Sequence, residues 1–188
     1  MKRLTKPEGK YNLVIEEALM PQPAPGEVRI KAVRSLISRG SEMGARYTRE
    51  HAVSPDIMGY SMAGTIDAVG EGVSHFAPGD RVVALAPHAE YTVRPAAVAG
   101  PDAQPRVVAL PDDVSWDLAP YHPLTAGSVT WVDAEKIGPS DTIVILGQGL
   151  VGSLMLQVMK ENGNGFVIAV DALDNRCALA EELGADRV

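Results

Sequence analysis

Gly147-Gln148-Gly149-Leu150-Val151-Gly152 is a G-x-G-x-x-G run, and its spacing suits one chemistry, the binding of a dinucleotide pyrophosphate. Set between a buried strand and a helix, the first glycine permits a tight turn. The second lets the backbone approach a phosphate, and the third lets helix and strand pack closely. The helix N-terminus supplies amide donors and the positive end of its dipole. Asp171, 19 residues beyond Gly152, stands where a carboxylate accepts both ribose hydroxyls of the adenosine half. That favours NAD(H) over NADP(H), whose 2′-phosphate meets repulsion there, although Arg176 offers a compensating cation. The plainer reading of the same residues is a structural glycine turn with Asp171 as a strand-end cap.

The elements that must carry this loop are legible around it. Thr142-Ile143-Val144-Ile145-Leu146 reads as a short buried strand, 150–160 as a largely apolar helix, Phe166-Val167-Ile168-Ala169-Val170 as a second strand and 175–183 as a second helix. Strand, helix, strand, helix implies a parallel sheet with crossover connections. Asp174 is the expected N-cap of the last helix, Gly184 its stop, and Arg187-Val188 the first step of a third strand.

Upstream the pattern differs. Val14 and Ile15 precede Pro21, Pro23, Pro25 and Gly26, a stretch that cannot be helical. Val28, Ile30 and Ala32 then alternate with Arg29 and Lys31, the period of a sheet with one wet face. From 59 to 95, short apolar runs are punctuated by Gly64, Gly70, Gly72, Pro78-Gly79-Asp80 and Pro87, the spacing of a compact β-barrel or sandwich. Residues 101–111 read as a linker, and 112–116 lead into a helical segment.

With 188 residues, 46% hydrophobic and 22% charged, the chain has the apolar material for a globular core. A net charge of -7 opposes attraction to phosphate backbones or anionic membranes, so neither nucleic acid nor membrane is an expected partner. No apolar run of bilayer length occurs and the first ten residues carry no signal-like segment, which points to the cytoplasm. One cysteine, Cys177, can build neither an internal disulfide nor a cysteine-rich zinc knuckle; it reads as a small core residue of the last helix. Met155 and Met159 likewise read as core.

The chain as a whole resembles the medium-chain dehydrogenase/reductase family. Pro25-Gly26-Glu27-Val28, Gly59 through Gly64-Thr65-Ile66, Val69-Gly70-Glu71-Gly72-Val73, Pro78-Gly79-Asp80-Arg81-Val82 and Gly184-Ala185-Asp186 stand where that family's recurrent phrases stand. The resemblance implies an N-terminal GroES-like β-barrel domain (1–111) followed by an α/β Rossmann nucleotide-binding domain (112–188), incomplete because members continue for most of another Rossmann half. It also implies a small-molecule substrate in the cleft between domains, and a homodimer in the full-length form.

The departures from the family concern zinc. Zinc-dependent relatives carry a cysteine in the segment matching Ser38-Arg39-Gly40-Ser41-Glu42, and Gly-His-Glu where this chain has Gly59-Tyr60-Ser61. A third ligand falls 25 residues before the first fingerprint glycine, where His122 stands. One imidazole does not hold catalytic zinc, which needs three protein ligands, so no metal site is expected. The segment 38–42 looks like the S-x-G-T-E phrase of a metal-free branch that includes bacteriochlorophyll-pathway dehydrogenases.

Without zinc, a side chain must polarise the reacting oxygen and move its proton. Tyr60, Ser61, His122, Arg39 and Ser41 occupy the segments where such groups converge. His122 is either a proton relay or a histidine that starts a helix and bonds backbone. Tyr60 is either a donor to a carbonyl or a packed ring. Arg39 and Glu42 pair with each other, orient cofactor and substrate, or lie in a solvated turn. Thr125 faces the nicotinamide or lines a helix. His51, His75 and His88 fall in polar loops and are assigned to the surface. Two further readings stay open: a truncated or degenerate non-enzymatic binding module, and an NAD(P)H-dependent quinone or enoyl reductase.

Overall fold

The computed structural model describes residues 1–97, 106–163 and 165–188. Backbone contacts divide the chain into two units, Met1–His122 and Pro123–Val188.

The first unit is built on a five-stranded antiparallel sheet ordered β6-β3-β4-β5-β7, from β3 (Glu27–Ser35), β4 (Met62–Val69), β5 (Arg81–Ala84), β6 (Tyr91–Pro95) and β7 (Val107–Ala109). A separate antiparallel pair joins β1 (Lys2–Thr5) to β2 (Val14–Glu17). The expected alternation is present in β3, where Val28 and Ile30 are fully buried and pack with Met62, Ile66, Val82, Ala84 and Val107. Each valine, isoleucine and methionine among them contributes about 1.5–3 kcal/mol by leaving water. On the other side of the strand Arg29 meets Asp67 at 2.6 Å. Bulges between Arg29 and Ile30 and between Ala32 and Arg34 interrupt the β3–β4 register and turn the end of β3.

Part of the expected linker, 101–105, lies outside the described residues. The rest is not a linker: Val107–Ala109 pairs with β5, and 111–114 is held by Arg81, whose guanidinium donates to the carbonyls of Pro111, Asp112 and Val114 and stacks on Trp116 at 4.4 Å. Val108, Leu110, Val114 and Trp116 pack against buried Ala63, Val83 and Ala119. This packing is why the division falls after His122 and not after Pro111.

In the second unit, α1 (His122–Ala134) precedes β8 (Thr142–Leu146), α2 (Leu150–Glu161), β9 (Phe166–Val170) and α3 (Asp174–Glu182). Strands β8 and β9 run parallel, Thr142 opposite Phe166 through Leu146 opposite Val170, and Arg187 bridges Ile168 in the same sense. Val132, Ile145, Leu156, Val158, Met159, Val167, Ala169 and Ala180 form the core. Two local expectations change. Asp174 is the first helical residue and Leu173 precedes it; the carboxylate at that end belongs to Asp171, whose Oδ1 accepts the Leu173 amide at 3.0 Å. Cys177 is only partly buried, its thiol 3.5 Å from the Asp171 carbonyl.

Candidate functional site

The glycine loop lies between β8 and α2 as its spacing requires. Gly147 has φ +91°, a left-handed conformation, and its amide donates to Val170 O at 2.7 Å, clamping the turn to the end of β9. A Cβ on Gly152 would lie 1.9 Å from the Gly147 carbonyl oxygen, so close contact of helix and loop excludes any side chain there. Gly149 differs. Its backbone is extended (φ -75°, ψ -171°) and an added Cβ would meet only Arg176 Nη1, at 4.0 Å. Neither conformation nor packing demands a glycine there, and its bareness leaves room over the start of α2. Leu150 and Val151 are the first residues of that helix and are exposed, while Gln148 is buried, its amide Nε2 donating to Ile145 O and its Oε1 without a protein partner.

Asp171 closes the same site. Its Oδ2 accepts the Gln148 amide at 2.7 Å and Arg176 Nη1 at 3.3 Å. The Gln148 amide above all, then the Leu173 amide and the Arg176 guanidinium, hold the carboxyl below the usual carboxylate range. Loop, helix start, carboxylate and Arg176 therefore form one polar surface, whose helix start can meet an anion and whose carboxylate can accept hydroxyls.

In the first unit the structure assembles a second polar cluster. Arg39–Arg46 forms a wide, π-type helical turn, in which Tyr47 N donates to Glu42 O at 2.8 Å. This winding turns Glu42 inward, where its side chain is fully buried. Its Oε1 lies 2.8 Å from both Tyr47 Oη and His88 Nε2, and its Oε2 accepts the Ser38 amide at 2.8 Å. Burial pushes the Glu42 carboxyl up, but the bonds from His88, Ser38 and Tyr47 outweigh it and hold the group below its ordinary value. Burial beside that carboxylate drives the Tyr47 phenol well above its ordinary range.

An ionised Glu42 can only accept, so His88 donates to it through Nε2–H, and in that tautomer the Nδ1 lone pair faces Ser35 Oγ, 2.8 Å away. Ser35 ends β3 and is exposed. The result is a continuous path from a solvent-facing hydroxyl through an imidazole to a buried carboxylate. The ring is held from behind as well: His88 N donates to Met58 O at 2.6 Å, Leu4 N donates to His88 O at 2.8 Å, and a Cβ on Gly59 would fall 2.9 Å from the ring carbon Cδ2.

The remaining candidates separate. Arg39 and Ser41 are exposed, and Glu42 pairs with His88, not with Arg39. Ser61 is fully buried and its hydroxyl donates to the Pro120 carbonyl, which ties it to the fold. Tyr60 is half-buried and lines a pocket of about 520 Å³ with Gly59, Arg46 and Arg94. His122 is exposed at the start of α1, yet the protein around it withdraws enough water to hold the imidazole below the ordinary histidine value. Thr125 is half-buried within α1. Among the described residues no three His, Cys, Asp or Glu side chains stand close enough together to hold a metal ion, and no helix is long and apolar enough to cross a membrane.

Comparison with known proteins bears on this arrangement. Residues 24–113 match the model of the alcohol dehydrogenase GroES-like domain. Over 96% of its length the chain is 27% identical to a sorbitol dehydrogenase of Arabidopsis thaliana, covering 57% of that protein. Over 95% it is 30% identical to the starvation-sensing protein RspB of Escherichia coli, covering 60%. The chain belongs to the medium-chain dehydrogenase/reductases. A solved structure of an Escherichia coli RspB, described as a short chain alcohol dehydrogenase and complexed with NADH, superposes on all of this chain with a TM-score of 0.80 at 26% identity, and the chain covers 62% of it. This member thus spans about three fifths of the length of the relatives it matches.

His88 is the residue that sequence reading of this member missed. Its loop looked polar, and nothing in Pro87-His88-Ala89-Glu90 points to a carboxylate 46 positions upstream. A usable signal existed in its place just before β6: a residue next to a paired strand is held by backbone bonds and is less often free.

Proposed function

We propose that this chain serves an oxidoreductase that moves hydride between NAD(H) and an alcohol or carbonyl group of a small molecule, without catalytic zinc. The observation that carries this reading is the glycine loop, in which Gly147 and Gly152 answer to the fold while Gly149 leaves open the space a pyrophosphate needs, with Asp171 beside it. The NADH carried by the solved relative supports the same reading. When bound, the nicotinamide supplies the hydride acceptor or donor.

This chain's own residues handle the proton. For alcohol oxidation, the substrate hydroxyl gives its proton to Ser35 Oγ as the Ser35 proton passes to His88 Nδ1, and the imidazolium so formed is stabilised by Glu42. Reduction runs the same steps backwards. The zinc-free part of the reading rests on residue types: Arg39 and Tyr60 stand in the segments where related enzymes keep ligands, and the lone cysteine lies on α3.

Calorimetric titration of NADH, NADPH and zinc into the full-length protein tests the proposal. Micromolar NADH binding, weaker NADPH binding and no stoichiometric zinc are expected. Absence of nucleotide binding would return the chain to the non-enzymatic reading, and tight zinc would remove the metal-free part.

A further inference from the structure

Six arginines of the chain are half-buried. Arg3, Arg29, Arg81 and Arg176 each face a carboxylate within ion-pair distance. Among the described residues the other two, Arg46 and Arg94, face none, and both line the pocket of about 520 Å³ that also contains Tyr60, Asp56 and a third unpaired arginine, Arg106. In a chain with 24 acidic and 17 basic residues, three guanidinium groups around one cavity, none with a carboxylate in ion-pair distance among the described residues, are not an effect of overall composition. Arg94 spends Nε on Leu85 O and Nη1 on Val93 O, both at 2.7 Å, and the rest of its five N–H donors have no hydrogen-bond partner among the described residues. Arg46 makes one long contact, 3.5 Å to Gly59 O. Burial, with the charge of Arg106 adding to it against the pull of Asp56 and Glu27, lowers the Arg94 pKa, so the cluster carries an electrostatic cost that an anion would relieve.

We infer that this pocket binds the anionic group, a phosphate or a carboxylate, of a small-molecule ligand, with Arg46, Arg94 and Arg106 as its cationic wall. Among the described lining residues, one Asp56 against three arginines leaves the cavity net positive, and a planar guanidinium offers paired N–H donors that match either oxyanion. Resting on the oxidoreductase reading, the inference adds that the substrate is an acidic alcohol or carbonyl compound, because Tyr60 lines the same cavity and Gly59 also packs against His88.

Titration of inorganic phosphate into the full-length protein, with NADH titrated in parallel, tests the inference. One phosphate per chain is expected. Arg106→Gln and Arg46→Gln should each weaken it roughly tenfold, about 1.4 kcal/mol, with unchanged melting temperature and NADH affinity; Arg94→Gln should abolish it but also disturbs the carbonyls that Arg94 caps. Glycerol phosphate and acetate, as competitors, separate an organic phosphate from a carboxylate. No phosphate binding, or phosphate affinity left unchanged by both Arg106→Gln and Arg46→Gln, overturns the inference. Phosphate binding without NADH binding keeps the anion pocket and rejects the oxidoreductase reading instead.

Discussion

Glu42 and His88 lie 46 positions apart in sequence and 2.8 Å apart in space, a buried carboxylate and an imidazole that is 9% exposed. Their bond joins the π-type turn after β3 to the loop before β6. Because Glu42 has no access to water, its charge depends on three donors from the chain itself, and the same donors fix which ring nitrogen of His88 faces Ser35.

Removing His88 should therefore cost stability as well as chemistry. His88→Ala leaves a buried carboxylate short of one donor, with an expected loss of about 2–4 kcal/mol. Ser35→Ala, at an exposed position, should leave stability within about 0.5 kcal/mol. Urea unfolding of both variants checks this, and a His88→Ala loss no larger than that of Ser35→Ala would contradict the burial argument.

Stability should fall on acidification in two stages. His122 has a depressed pKa, so below its ordinary value of about 6.5 the unfolded chain takes up a proton that the folded chain resists. Glu42 is also depressed, and its contribution is complete above the ordinary glutamate range and lost as pH falls through its lower folded value. Tyr47 is raised, so stability should fall again as pH rises above about 10. Melting temperatures across pH 3 to 11 test the pattern. His122→Gln should erase the first stage alone.

Gly149→Ala and Gly152→Ala should separate binding from folding. At Gly152 the added Cβ would meet the Gly147 carbonyl at 1.9 Å, and forcing the helix away should cost about 2–4 kcal/mol. At Gly149 the nearest atom is 4.0 Å away, so stability should hold while NADH affinity drops roughly tenfold or more. Equal NADH affinity in Gly149→Ala and the parent would show that no phosphate approaches that face.

Asp171→Asn should narrow the preference between nicotinamide cofactors. It removes the charge that opposes a 2′-phosphate and frees Arg176, now 3.3 Å from the carboxylate. NADH should bind roughly tenfold more weakly and NADPH more tightly. Parallel titrations decide, and an unchanged ratio would remove Asp171 from the ribose site.

The second unit was legible because its information is local. A contiguous apolar run makes β8, the six-residue glycine fingerprint makes the loop, and the next apolar run makes β9; each strand has the bounds its composition indicates. The place of Asp171 follows because strand length and crossover length set how far along the chain the carboxylate at the end of β9 falls. The alternation in β3 was equally readable, since a two-residue period needs no partner to be recognised. Residues 107–109 were not, because a three-residue edge strand owes its existence to β5 and carries too few side chains to show a period.

What the sequence determined by itself was the pair of architectures, the glycine loop and the kind of residue missing from the zinc-ligand segments. Tertiary structure alone decided which groups meet. It withdrew Ser61 to Pro120, took Glu42 from Arg39 and gave it to His88, and gathered Arg46, Arg94 and Arg106 around one cavity. The physical reason is that backbone periodicity and turn chemistry act over a few neighbouring residues, whereas burial of a charge and its choice of partner depend on which distant segments the packed core brings into contact.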